Sequence, residues 1–336
     1  MKLQVSHSPH VRDKATTQSI MLDVIIALLP ATFAGWYYFG IRAVLVTLVS
    51  VASCLFFEYI SRRIMKRNNT IYDLSAAVTG LLLAMNLPVT IPIYMVVIGA
   101  CFAIVVVKQM FGGIGNNFVN PAIAARIFLV IAFPKAMTSW TVHQGAWYSF
   151  KSVDAVSSAT PLTSLGSANE PSLWSLFIGD KAGCIGEVCI LALLIGALYL
   201  MLRHVIRPWI PAAFIGTFFI LVFFFGHTNV LHFTGDLTTA SGWETLFHEC
   251  LYMILSGGLV LGAFFMATDY VTSPLTVKGK LIFGAGCGIL TFLIRYYGNM
   301  AEGVSFSILL MNILTPHIDE WTMGKPFGEV KENAKA

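Results

Sequence analysis

Near the middle of a very apolar chain lies Asp154-Ala155-Val156-Ser157-Ser158-Ala159-Thr160-Pro161-Leu162-Thr163, a stretch of small residues and hydroxyls. As local structure it is a turn, because Ser and Thr side chains bond the nearby backbone and Pro161 fixes the chain behind them. As chemistry it is a hydroxyl offered for modification. Such a group must be accessible, and its neighbours must be small enough for the segment to enter another enzyme's active site. Ser157, Ser158 and Ala159 are such neighbours for Thr160.

A second set of residues could move ions. Charged side chains are costly in hydrocarbon, and one lying in or beside an apolar run often marks an ion path. Asp23, Glu58, Asp73, Glu187 and Asp269 all fall at or just inside the ends of such runs, where exposure at the membrane interface is the competing reading. Arg126 follows Asn120-Pro121 by about one turn and is either a counter-charge or a snorkelling side chain. Metal chemistry has little to stand on. Cys184 and Cys189, the one close cysteine pair, lack zinc or iron–sulfur spacing, so the six cysteines read as small apolar residues in helices. His227 and His232 share a loop without further ligands, and Gly112-Gly113-Ile114-Gly115 has no βαβ unit around it to make it a dinucleotide fingerprint.

The elements that must position these residues are membrane helices. Of the 336 residues 57% are hydrophobic and 11% charged, against about 25% charged in a soluble domain, and the mean hydropathy is +0.76. The expectation is an all-α integral membrane protein: one polytopic domain, 1–336, without a soluble module. A spanning helix takes about 20 apolar residues, and ten runs fit: 19–39, 42–60, 71–88, 91–110, 121–137, 182–202, 209–226, 246–267, 280–297 and 303–317. No cleavable signal sequence is expected, since the first run has no small-residue cleavage site after it. The net charge of +4 does not point to nucleic acid, because the basic residues lie in short loops.

Those basic residues predict orientation. With the N-terminus inside, fifteen of the 21 Lys and Arg fall on the cytoplasmic side, among them Lys108, and five outside, namely Arg42, Lys135, Lys151, Lys181 and Arg295. That asymmetry is a positive-inside signal placing both termini in the cytoplasm and the longest polar stretch, 138–181, on the outer face. The remaining division is a first repeat at 19–137, a second at 182–317 and a short cytoplasmic tail, 318–336. Five spans per half would insert the second half inverted. Asn86-Leu87-Pro88-Val89-Thr90-Ile91-Pro92 is similar to Asp269-Tyr270-Val271-Thr272-Ser273-Pro274, and Gly112–Asn117 to Tyr297–Gly303. Pro and Gly in these pairs predict helix breaks at membrane depth, tolerated only where protein or a wet cavity covers them. Gly284, Gly286 and Gly288, and the pairs Gly179/Gly183 and Gly258/Gly262, read as close helix contacts.

Taken together, the motifs resemble one family. Ser157-Ser158-Ala159-Thr160 with the following Pro161 and Leu162 is similar to a flavinylation motif, Ser-Gly-Ala-Thr plus an apolar residue. That motif belongs to the D subunit of the Rnf complex and the B subunit of the sodium-pumping NADH:quinone reductase. Ser158 stands where the pattern has Gly. Phe111-Gly112-Gly113 with Asn120-Pro121-Ala122, the Gly179, Gly183, Gly186, Glu187 series, and Asp269 with Val271–Thr276 resemble further family blocks, in the same order along most of the chain. The resemblance implies FMN joined through a phosphodiester to Thr160 by a dedicated flavin transferase, and a riboflavin held without a covalent bond. It also implies a redox subunit, inactive alone, of an inner-membrane complex that couples electron transfer between ferredoxin and NAD to Na+ or H+ movement. Its partners would be the membrane A and E subunits, the flavin-bearing G subunit and the peripheral B and C subunits of the Rnf complex. Glu187, Asp269, Asp23 and Asp73 are then ion-pathway candidates, and Arg126 and Asn120 flavin contacts. About 18 residues precede the first run, whereas quinone-reductase counterparts usually carry a longer segment, which favours the Rnf type. A rival from another class is a small-solute channel built on inverted five-helix repeats, without flavin.

Overall fold

The computed structural model describes residues 15–140, 162, 171–179, 181–226, 240–298 and 302–324, and these are helical with no β-strand among them. The Thr160 motif up to Pro161, together with His227 and His232, lies outside the described residues. Helix α1 (Thr17–Phe39) starts at Thr16, whose hydroxyl accepts from the Ser19 amide while Ser19 Oγ accepts from the Thr16 amide, a reciprocal cap that satisfies two otherwise orphaned donors. Gly40, at φ 70°, separates it from α2 (Ile41–Ile64). These two helices and α12 (Val277–Tyr297) are each long and apolar enough to cross a bilayer.

The other apolar runs hold shorter or broken helices, and α7 (Leu173–Ile178) lies in the polar stretch 138–181. The helices of the runs are α3 (Ser75–Met85), α4 (Ile93–Cys101) continuing as a π-helix over Phe102–Gln109, α5 (Pro121–Ala132), α6 (Pro134–Met137), α8 (Ile190–Leu202), α9 (Trp209–Phe225), α10 (Ala240–Leu255), α11 (Leu259–Leu261) continuing as a π-helix over Gly262–Met266, and α13 (Val304–Thr322). The segments Leu246–Leu255 and Leu259–Met266 meet at a 64° bend. At 1.5 Å per residue, α3, α5 and α8 cover about 16 to 20 Å, well short of a hydrocarbon core of about 30 Å.

Non-helical backbone lies deep in the fold at 86–89 and 181–188, where protein buries it. The expected breaks at 86–92 and 269–274 are both non-helical. The run 182–202 departs from expectation: its helix begins only at Ile190, and 181–189 folds into turns. Those turns cross the first break, with the Ile185 amide donating to Leu87 O (3.2 Å), the Gly186 amide to Met85 O (2.8 Å) and the Cys184 thiol to Asn86 O (3.3 Å). A β-carbon on Gly186 would stand 2.5 Å from Met85 Cβ, so the two chains cross this closely only over glycine. Arg42, read as an outer-loop residue, instead donates to the carbonyls of Val89 (2.8 Å), Thr90 (3.2 Å) and Ile91 (3.4 Å) and satisfies the exposed backbone of that break.

Helix α1 packs on α8, and α5 packs on α13. Within the second half α9 lies along α12, where β-carbons on Gly284 and Gly288 would meet Ile210 O at 2.7 Å and Phe214 O at 2.8 Å, while Gly286 faces Met311. These glycines make the close helix contact expected of them. The pair Gly179/Gly183 does not share a helix face, since Gly179 closes α7 at φ +124° and Gly183 lies in the turns; of the other pair, Gly262 meets Val304 and Ile308 of α13 closely, while Gly258 makes room for the Glu187 carboxylate.

Candidate functional site

Where α5 meets the turns 181–189, a buried charged cluster forms. Asn120 starts α5, its side-chain oxygen accepting from the Ala122 amide (3.0 Å) and Pro121 filling the first turn, where no amide donor is missed. Arg126 then projects into the protein, 5% exposed. It donates to Asn86 Oδ1 at 2.6 Å and to Glu187 Oε1 at 3.5 Å, and pairs with Glu302. The guanidinium is thus a counter-charge between two carboxylates and does not reach toward water. A β-carbon on Gly258 would lie 2.6 Å from Glu187 Oε1, so this glycine leaves the carboxylate its place.

Two further cations border the cluster. Lys181, 7% exposed, donates from Nζ to Leu255 O (2.6 Å). Arg295 donates to Met253 O (2.6 Å) and Ser256 O (3.4 Å) and lies 5.1 Å from the Phe218 ring centre. Both read from sequence as outer-loop charges, yet Lys181 ties the turns 181–189, and Arg295 ties α12, to the end of α10. Leu162, two residues beyond Thr160, packs against the same place: it lines a small cavity with Trp140, Lys181, Glu187, Gly257 and Glu302.

A second cavity, of about 100 Å³, opens elsewhere in the fold and is lined by Lys108, Asn117, Asn120, Phe264, Phe265 and Asp269, among others. Asn120 reaches across to Met266 O (3.3 Å), and Asn117 Oδ1 is buried without a partner among the described residues. Asp269, in the connection 267–276, accepts from the Thr272 hydroxyl (3.2 Å), and burial pushes its carboxyl above the usual carboxylate range despite that bond. So Asn120 and Arg126, both expected near a cofactor, serve different places, and so do Glu187 and Asp269.

Asp23 and Asp73 are already committed. Asp23 accepts from the Tyr199 hydroxyl (2.9 Å) and Arg203 (3.2 Å), joining α1 to α8. Asp73 accepts from the amide (2.8 Å) and hydroxyl (2.5 Å) of Ser75 at the start of α3. That hydroxyl in turn accepts from Lys108 Nζ (2.7 Å), which pairs with Glu58 at 2.8 Å, while Thr70 bonds the same carboxylate at 2.9 Å. The charge count reads Lys108 as a loop residue, but it is 1% exposed on the π-helical end of α4. Its signal is its position: Lys108 ends an apolar run and opens the Phe-Gly-Gly block. Glu302 and Asn86 likewise stand inside the repeat-like blocks, where nothing local singles them out.

The whole chain matches known proteins. Residues 4–328 match the profile of the NQR2, RnfD, RnfE family. The chain is 43% identical to the D subunit of the Na(+)-translocating ferredoxin:NAD(+) oxidoreductase complex of Acetobacterium woodii, over 100% of this chain and 99% of that one. It is 42% identical to the D subunit of the proton-translocating ferredoxin:NAD(+) oxidoreductase complex of Clostridium ljungdahlii, over 96% of each. With the D subunit of the ion-translocating oxidoreductase complex of Shewanella amazonensis it shares 34% identity, over 98% of this chain and 99% of that one.

Proposed function

Because the chain belongs to the NQR2, RnfD, RnfE family, we propose that it is the D-type membrane electron-transfer subunit of an ion-translocating ferredoxin:NAD+ oxidoreductase complex, with FMN joined to Thr160. The observation that carries the reading is full-length similarity to relatives bearing that name. The membrane A and E subunits, the flavin-bearing G subunit, the peripheral B and C subunits and a flavin transferase are its proposed partners.

The described residues at the Leu162 end fit a tethered flavin. Two residues of chain reach at most about 7 Å, which ties a group on Thr160 to the end of the fold where Leu162 packs. There Gly183, Gly257 and Trp140 border a small cavity, and the hydroxyl of Ser256, next to Gly257, is buried without a partner among the described residues. FMN supplies the electron-transfer chemistry when bound. The protein's part is electrostatic: Arg126 neutralises Glu187 and Glu302, while Lys181 and Arg295 keep positive charge beside the flavin's tether.

The architecture we assign is a single polytopic domain of ten membrane crossings in two inverted five-helix repeats, 19–137 and 182–317. The packing of α1 on α8 and of α5 on α13 supports it, since a two-fold axis between the repeats allows equivalent helices to meet. Both termini, with the tail 318–336, lie in the cytoplasm, and the loop 138–181 carries FMN on the outer face of the inner membrane. Glu187 and Asp269 remain the ion-pathway residues of choice, since Asp23 and Asp73 are held in local bonds. Relatives at 43% and 42% identity are named for Na+ and for protons, so overall similarity does not choose the ion.

Membrane vesicles from cells with and without the chain test the reading. Ferredoxin-dependent NAD+ reduction and coupled ion uptake are expected to vanish together without it and to return on complementation. Undiminished ferredoxin-dependent NAD+ reduction in its absence would overturn the assignment.

A further inference from the structure

We propose that the paired N-terminal ends of α9 and α12 hold the phosphate of an anionic glycerophospholipid, with Arg207 and Lys280 as its cations and the Ser273 hydroxyl as a further donor. The first ground is the direction of the two helices. β-Carbons on Gly284 and Gly288 would meet Ile210 O and Phe214 O in turn, a step of four on each helix in the same sense. The helices therefore run parallel, and their electropositive starts lie side by side. Such ends favour anions, yet neither first turn carries an acidic residue. Instead Arg207 stands just before α9 and Lys280 in the first turn of α12, where cations are unfavourable until an anion joins them.

The second ground is a cavity of about 120 Å³ that these two side chains line together with His204, Thr268, Tyr270 and Ser273, among others. That is several times the ~10–15 Å³ that holds one water, room for a phosphorus and its oxygens. Ser273 is 8% exposed, and among the described residues its hydroxyl makes no hydrogen bond. A buried hydroxyl left so is costly, and a ligand oxygen in the cavity removes that cost. Among the described residues neither Arg207 nor Lys280 has a carboxylate partner. The stretches 202–212 and 266–282 are described throughout, and the carboxylates of the elements around the cavity are engaged elsewhere. Asp23 accepts from Tyr199 and Arg203, Asp269 from Thr272, and Asp319 from the Leu275 amide. Tyr270 donates to Val205 O and fixes one stretch against the other.

The third ground selects a lipid over a soluble phosphate. Leu202, Trp209, Leu275, Leu281 and Ile282 are exposed around the starts of α9 and α12, an apolar rim that acyl chains cover and a free anion does not. Basic pockets between helices on the cytoplasmic side bind anionic headgroups, and in the orientation proposed above this end faces the cytoplasm. The seat does not depend on the flavin reading, since Arg295 and the tether lie at the opposite end of α12.

Purified complexes in detergent carrying the wild-type chain, Arg207→Gln, Lys280→Met, both together, Lys280→Arg and Ser273→Ala test it. A phosphatidylglycerol labelled with a fluorophore on one acyl chain reports binding through its anisotropy, with unlabelled phosphatidylglycerol, phosphatidylcholine or inorganic phosphate as competitor. The wild type should bind the probe and release it to phosphatidylglycerol alone. Each cation removed should weaken binding roughly fivefold, the effect of one basic residue beside an anionic leaflet, and the double variant should weaken it about 25-fold. Lys280→Arg should keep wild-type affinity, and Ser273→Ala should weaken it. That last variant removes one oxygen atom, so it decides the matter if the double variant does not assemble. Binding indifferent to the double variant and to Ser273→Ala would overturn the seat. Release by inorganic phosphate as readily as by phosphatidylglycerol would overturn the lipid and give the seat to a free phosphate.

Discussion

Replacing Lys108 with Met probes the ion pair that joins α2 to the π-helical end of α4. Lys108 Nζ lies 2.8 Å from Glu58 Oε2 and 2.7 Å from Ser75 Oγ, and the two charged side chains are 2% and 0% exposed. Met matches the lysine stem in length but leaves Glu58 a buried carboxylate with the Thr70 hydroxyl as its remaining bond in this network. Breaking a buried pair from one side costs about 3–5 kcal/mol, because the surviving charge is uncompensated. At about 1.4 kcal/mol per factor of ten, the folded-to-unfolded ratio falls by roughly two to three and a half powers of ten. The double variant Lys108→Met/Glu58→Leu should recover most of that loss, since apolar replacement of a whole buried pair is often neutral or better. Denaturant titration of the complex in mixed micelles, followed by an optical probe of this subunit, measures both. A single variant within about 0.5 kcal/mol of wild type, or a double variant no more stable than the single, would refute the view that this pair is dry and mutually dependent.

Other outcomes follow from the same geometry. Gly284→Ala puts a β-carbon 2.7 Å from Ile210 O and 2.8 Å from Ala213 Cβ, and overpacking of about 1–3 kcal/mol should lower the thermal midpoint. Gly216→Ala on α9 meets nothing within 4 Å and should hold or raise it. Arg203→Ala should leave the midpoint near wild type, because that side chain is 57% exposed and its pair with Asp23 is screened by water. Glu187→Gln and Asp269→Asn should reduce ion uptake by vesicles more than ferredoxin-dependent NAD+ reduction, and unchanged uptake would remove the residue concerned from the pathway.

Much of the helical frame was legible because hydropathy is local. Each apolar run contains a helix, often a shorter one than the run, and the Pro-containing stretches at 86–92 and 269–274 are breaks, since proline cannot continue a helix cheaply. The charged interior was not legible in the same way. Lys108, Lys181, Arg295 and Arg42 stand at run ends, where a hydropathy count reads an interfacial loop, yet each satisfies a partner far away in sequence. Glu58 lies 50 residues from Lys108, and Leu255 lies 74 from Lys181. Nothing in a local window carries that pairing. The short α8 hid for a related reason: 181–189, with Lys181 and Glu187 as its two charges, is averaged with the strongly apolar helix after it in a span-length window, and the close crossing of Gly186 over Met85 is a contact distant in sequence. The resemblance blocks located Arg126, Glu187 and Asp269 without showing that they divide between two places in the fold.

The most direct measurement is flavin fluorescence in the denatured protein. The chain, produced in cells that contain the flavin transferase and run on a denaturing gel, should fluoresce as a band, and Thr160→Ala should abolish that fluorescence at unchanged protein level. A dark wild-type band would contradict the redox assignment, and fluorescence that survives Thr160→Ala would contradict Thr160 as the point of attachment.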